Sequence, residues 1–140
     1  MCKRSIAGFA LALLALIVAF PVLAQDAQDI RGTWVHSFNE QNVQGQIVVQ
    51  FGNGTISYQM SSRNTDQNLN LVATQITCLG QYGYDGSAVM SRWQPSCQSC
   101  GGGNCFPYDS NRVVSDGTCA VQWQDQYTFV DCNGYDFHRH

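Results

Sequence analysis

The chain reads as an all-β protein, an antiparallel up-and-down meander of about eight strands expected to close into a barrel, with a two-sheet sandwich as the alternative. Three observations predict it. A turn tetrad recurs as Asn53-Gly54-Thr55, Asp85-Gly86-Ser87 and Asp116-Gly117-Thr118, each followed by an alternating apolar run. Asn-Gly and Asp-Gly most easily take the positive φ angles of two-residue hairpins, so each tetrad is expected to be a corner where the chain reverses. Between corners, apolar and polar residues alternate with period two. No segment sustains a helical period. Closure is favoured because it removes the exposed edges of an open meander.

Residues 1–24 are expected to be a cleaved signal peptide. Lys3 and Arg4 precede an apolar run from Ile6 to Phe20, and Val22-Leu23-Ala24 offers the small-x-small pattern of a cleavage site. The run is short for a membrane span, so no stable membrane insertion is expected. Residues 25–140 then form a single domain, long enough to bury roughly two thirds of its unfolded surface. This part has five arginines, no lysine and ten acidic residues, for a net charge of −5. Arg31, Arg63, Arg92, Arg112 and Arg139 are scattered. That distribution argues against nucleic acid and anionic membranes as partners. Six cysteines remain once Cys2 leaves with the leader: Cys78, Cys97, Cys100, Cys105, Cys119 and Cys132. An even number behind a leader predicts three disulfides and a secreted or periplasmic location.

After a polar lead-in at residues 25–30, the first strand places Trp34, His36 and Phe38 on one face and Val35 and Ser37 on the other. A loop is expected from Asn39 to Gly45. The second strand then buries Ile47, Val49 and Phe51 while Gln46, Val48 and Gln50 face water. Beyond the Asn53-Gly54 corner, Ile56, Tyr58 and Met60 point inward. Ser61 to Asn68 reads as a loop, and Leu69 to Leu79 as a strand with a less regular alternation. Tyr82-Gly83-Tyr84 leads to the Asp85-Gly86 corner and a strand ending at Trp93. Gln94 to Ser110 contains Pro, Ser, Gly101-Gly102-Gly103 and three cysteines, and reads as irregular. The last strands span Cys119 to Trp123 and Tyr127 to Cys132, and Asn133-Gly134 supplies a fourth Asn-Gly turn signal.

Ile30-Arg31-Gly32-Thr33-Trp34 resembles the Gly-x-Trp start of the lipocalin and avidin group, the calycins. The resemblance implies a barrel whose base is plugged by Trp34, with a late arginine, here Arg139, packed across it. It extends over the whole mature chain in pattern, but its specific motif is three residues long. The chain departs from the group in being shorter, in lacking a terminal helix and in carrying the Cys/Gly-rich insertion. Those departures argue against a wide ligand cavity.

Cys97-x2-Cys100-x4-Cys105 has spacing similar to zinc and iron–sulfur motifs, but the histidine of a zinc knuckle is missing and the leader favours disulfides. No metal or other cofactor is expected. Cys97-Gln98-Ser99-Cys100 also lacks the helix start that activates a redox pair, so it is read as structural. If the last hairpin turns at Asp125-Gln126, Cys119 faces Cys132, Val121 faces Val130 and Trp123 faces Thr128, which predicts a Cys119–Cys132 disulfide. Pairing among the other four cysteines has three solutions. His36 reads as a core residue, and His138 and His140 as a polar tail. Asp85, Asp116 and Asp125 are accounted for by their turns. No nucleophile, metalloprotease or phosphate-loop motif is present, so no enzyme is expected.

The expectation is therefore an exported lipocalin-like binding protein for a small apolar ligand held by Trp34, His36, Tyr58, Trp93 and Trp123. The alternative is a protein-binding module, such as an inhibitor of a secreted hydrolase or an envelope interaction domain. It would use Phe106, Pro107 and Tyr108 in the Cys/Gly-rich segment 94–110.

Overall fold

Strand pairing organises a computed structural model that describes residues 28–65 and 71–140; the expected signal peptide lies outside them. Among these residues there are eleven strands. They are β1 (Gly32–Glu40), β2 (Val43–Phe51), β3 (Thr55–Thr65), β4 (Leu71–Tyr84), β5 (Ala88–Trp93) and β6 (Ser96–Gly101). β7 (Asn104–Asp109), β8 (Gly117–Ala120), β9 (Gln122–Asp125), β10 (Thr128–Val130) and β11 (Asp136–Arg139) follow. A 3₁₀ turn at Ser110–Arg112 separates β7 from β8, its start capped by the Asp109 carboxylate, which accepts the Asn111 N–H. All pairings are antiparallel.

The ladders run in the order β7-β6-β4-β3-β2-β1-β11-β10-β9, and a branch carries β5 and β8. β4 causes the branch. It is 14 residues long, so its Thr74–Thr77 stretch pairs with β6 while Gly80–Tyr84 pairs with β5. The expected closed barrel is therefore corrected to an antiparallel sheet whose ladder does not close. The strand count also differs, because the segment expected to be irregular is a hairpin and the last strands are broken into short pieces.

Register sets one inner face. Trp34, Val49, Tyr58 and Cys78 lie abreast across β1 to β4, with His36, Ile47, Met60 and Ile76 in the next row. Ile30, Trp34, Ile47, Val49, Phe51, Ile56, Val89, Val121, Phe129 and Phe137 form the main buried cluster. A second, smaller cluster comprises Ile76, Cys78 and Cys97. The alternation expected in the first three strands thus points the way the period-two pattern requires.

Several connections differ from expectation. The β1–β2 loop is only Gln41-Asn42, with Glu40 opposite Val43. Gln41 takes a positive φ of 47° without being glycine, so no turn signal marks the position. β3 continues through Ser61 to Thr65, where a loop was expected. At Asp85-Gly86 the reversal falls on Gly86-Ser87, while the Asp85 carboxylate accepts the Ser87 and Ala88 N–H groups at 2.8 Å. Asp116-Gly117 is not a hairpin corner: the Asp116 carboxylate accepts the Trp93 N–H at 2.7 Å, and Gly117 begins β8, whose partner is the distant β5. Gln94 to Ser110, expected to be irregular, contains the β6–β7 hairpin, closed by Gly102 and Gly103 at φ 58° and 82°. Two adjacent glycines suit such a turn because each takes positive φ without a Cβ clash.

Candidate functional site

The five residues expected to hold a ligand are packed against one another or against their neighbours. Trp34 is fully buried, and its indole N–H donates to the Ile30 carbonyl at 2.7 Å. Its ring meets Trp123 edge-on at 5.4 Å and Phe129 at 4.8 Å. The Arg139 guanidinium lies 4.7 Å from the centre of the Trp34 ring and donates to the Asp29 carbonyl at 2.6 Å. Trp123 donates to the Tyr84 hydroxyl, which in turn donates to the Gly86 carbonyl, so the polar ends of both rings are satisfied. Tyr58 and Trp93 meet edge-on at 6.4 Å. Burial, reinforced by the negative charge of nearby Tyr135 and Asp131 when they ionise, pushes the Tyr58 phenol up to about 12.

His36 stands at the edge of this packing. Its Nδ1 lies 2.9 Å from both the backbone carbonyl and a carboxylate oxygen of Asp136, and its ring stacks on Tyr135 at 4.8 Å. Asp136 also reaches Nε2 of His138 at 3.3 Å. Burial would raise the Asp136 carboxyl, but hydrogen bonds from its own backbone, His138 and His36 outweigh it and leave the group below its ordinary value. The cluster ties β11 to β1. In the lead-in, the Arg31 guanidinium donates to both Asp29 oxygens and holds that carboxyl down to about 2.

Two concavities of about 730 and 700 Å³ lie on the sheet, and neither is lined by Trp34, His36, Tyr58, Trp93 or Trp123. The larger one is bordered by β1 to β4 and the β6–β7 turn. Its polar residues carried no site signal in the sequence: Gln46 and Gln75 stood in expected strands, whereas Asn39, Gln44 and Ser62 fell in stretches expected to be loops.

The six cysteines among the described residues are all paired. Cys78 joins Cys97, Cys100 joins Cys105 and Cys119 joins Cys132. Cys97 and Cys100 do not join each other, so the Cys-x-x-Cys spacing is incidental to the two bonds it serves. The Cys119–Cys132 bond agrees with expectation although the register behind it is off by one. Trp123 faces Phe129 and Val130 faces Gln122, with an irregularity between Thr128 and Phe129.

The expected partner-binding residues do not share one environment. Phe106 is 63% exposed on β7, the terminal strand of the ladder. Pro107 is exposed beside it, and having no N–H it gives that strand one donor fewer. Tyr108 is half-buried, packed on the Cys78–Cys97 cluster with the Arg112 guanidinium 5.9 Å from its ring centre.

No family model matches the chain, and neither a curated protein nor a solved structure matches it. Among the described residues, no helix is long and apolar enough to cross a membrane. Three disulfides are typical of extracellular and periplasmic proteins.

Proposed function

We propose that the chain is an exported binding protein, not an enzyme, which contacts a protein partner through the stapled β6–β7 hairpin. The observation that carries this reading is Phe106. A large aromatic side chain, 63% exposed, is displayed on a hairpin fixed by the Cys78–Cys97 and Cys100–Cys105 bonds. A rigid aromatic anchor loses little conformational freedom on binding, which is how such residues come to dominate interfaces. Pro107 discourages strand addition at the same edge, so recognition would rest on side chains rather than on a shared ladder.

The same reading takes the strands as a lipocalin-like wall with a filled interior. Support for the wrap comes from Val121, which links the branch strand β8 to the terminal strand β9 and donates its N–H to the Ser87 carbonyl at 2.8 Å. The stacking of Arg139 on Trp34 matches what the calycin resemblance implies. Export rests on the leader in residues 1–24 together with the three disulfides.

The test is to place a photo-crosslinking residue at position 106, and separately at Leu79, in the protein expressed in an exporting host. A discrete adduct from position 106, absent from Leu79, is the expected result. Tryptophan quenching by lipophilic probes should not saturate. Saturable quenching without an adduct at 106 would overturn this reading and restore a small apolar ligand inside the wall.

A further inference from the structure

We propose that Asn53 is a site of spontaneous backbone modification, converted to isoaspartate through a cyclic imide with Gly54. The site lies apart from the Phe106 contact and does not depend on it. The chain has two Asn-Gly pairs, Asn53-Gly54 between β2 and β3 and Asn133-Gly134 between β10 and β11, and both are exposed. Glycine lacks a Cβ, so it leaves the peptide nitrogen open to attack on the preceding side chain. A Cβ added at Gly54 or Gly134 would meet nothing within 4 Å, so neither nitrogen is shielded by its surroundings. By sequence the two pairs are equally reactive, and their surroundings separate them. The Asp131 carboxylate holds Asn133 at two points, accepting its backbone N–H at 2.9 Å and its side-chain amide at 3.1 Å. The same carboxylate accepts the Tyr135 N–H at 2.9 Å, which fixes the turn around Asn133. The glycine N–H is bonded in both pairs, to the Gly52 carbonyl at 3.1 Å and to the Asp131 carbonyl at 3.0 Å. The side chains therefore make the difference. Among the described residues no hydrogen bond holds the Asn53 amide, and its Cγ can rotate onto the Gly54 nitrogen.

In the reaction a solvent base takes the proton of the Gly54 amide, the nitrogen bonds to Asn53 Cγ, and the side-chain nitrogen leaves as ammonia. Water then opens the imide. Attack at the side-chain carbonyl gives aspartate, and attack at the main-chain carbonyl gives isoaspartate, whose backbone runs through Cβ and Cγ. Nothing is oxidised or reduced. Either product adds a carboxylate to the corner, and the second also adds one backbone atom. Strand register turns on this corner, because Phe51 and Ile56 face each other across it and both are buried. Tyr82 ties the corner to β4, its N–H donating to the Gly54 carbonyl at 3.0 Å and its hydroxyl to the Gly52 carbonyl at 2.7 Å. An extra backbone atom displaces these acceptors, so the converted chain is the less stable one.

The experiment is incubation of the folded, oxidised protein at mildly alkaline pH, with isoaspartate located by peptide mapping over time. Asn53 should convert about tenfold faster than Asn133 or more, a difference of about 1.4 kcal/mol in activation free energy. That difference should disappear when the same chain is reduced and unfolded in denaturant. Asp131→Ala should raise the rate at Asn133 about tenfold and leave the rate at Asn53 unchanged. The chain isolated with isoaspartate at position 53 should melt below the parent, and an unchanged melting temperature would contradict the role given to the corner. Equal rates at the two pairs in the folded protein would overturn the proposal. So would faster conversion at Asn133, a difference that persists in denaturant, or an Asp131→Ala variant that converts as the parent does.

Discussion

The sheet of β1, β2 and β3 and the β4–β6–β7 flank are built from similar strands but held by different means. In the first, Trp34, Ile47, Val49, Phe51 and Ile56 are buried together with Phe129 and Phe137, and no disulfide is anchored in β1, β2 or β3. In the second, the buried cluster contains only Ile76, Cys78 and Cys97, and two of the three disulfides lie there. The contrast teaches a division of labour. Where side chains are large enough to exclude water, burial holds the ladder; where they are small, covalent bonds restrict the unfolded chain instead. A binding surface gains from the second arrangement, because residues such as Phe106 can stay exposed while their backbone is fixed.

The contrast can be broken experimentally at several points. Trp34→Ala removes the largest fully buried side chain and should cost about 3–5 kcal/mol in urea denaturation, enough to leave the whole domain barely folded. A loss confined to local fraying would show that the aromatic cluster does not hold the sheet. Cys78→Ala with Cys97→Ala opens a link of sequence separation 19 and should cost about 3 kcal/mol. Both sulfurs are also buried, so alanine at these sites removes packing in addition to the bond. Cys100→Ser with Cys105→Ser opens a separation of only 5 and should cost about 2 kcal/mol, leaving the rest of the sheet intact. Equal losses from the two pairs would mean that the link to β4 carries nothing beyond the hairpin's own closure.

A smaller effect sharpens the same contrast at alkaline pH. Tyr58 lies where the two clusters meet, and its phenol ionises at about 12 in the folded protein but near 10 in an unfolded chain. The folded state therefore holds this proton more tightly. The resulting stability is complete below pH 10 and is lost as pH rises towards 12. Tyr58→Phe should flatten that part of the stability profile, measured as denaturation midpoints between pH 9 and 12. An unchanged slope would place Tyr58 in contact with water.

How much of this was legible in the sequence follows from the range of the interactions involved. The inner faces of β1 to β3 were readable because alternation is local, and Trp34, Ile47 and Ile56 point where it requires. The Cys119–Cys132 bond was also readable, since two cysteines flanking one hairpin are brought close even when the register slips by a residue. The slip itself was not readable: it arises from the irregularity between Thr128 and Phe129 and from the Asp125 carboxylate accepting the Tyr127 N–H. Gly101 to Gly103 and Pro107 suggested an irregular segment, although paired glycines also make a tight hairpin and proline is tolerated on a terminal strand. The fork at β4 depends on β5 meeting β8 across a long stretch of intervening chain, and no local pattern encodes that. At the candidate site, Phe106 was identifiable as an aromatic among turn-forming residues, whereas the larger concavity appears only when four strands are set in register.

The most direct test of the division between the two regions is amide hydrogen exchange of the oxidised protein and of the same protein after disulfide reduction. The expected result is that β6, β7 and the Thr74–Thr77 part of β4 lose protection on reduction while β1, β2 and β3 retain theirs. Uniform loss of protection, or loss beginning in β1 to β3, would contradict it.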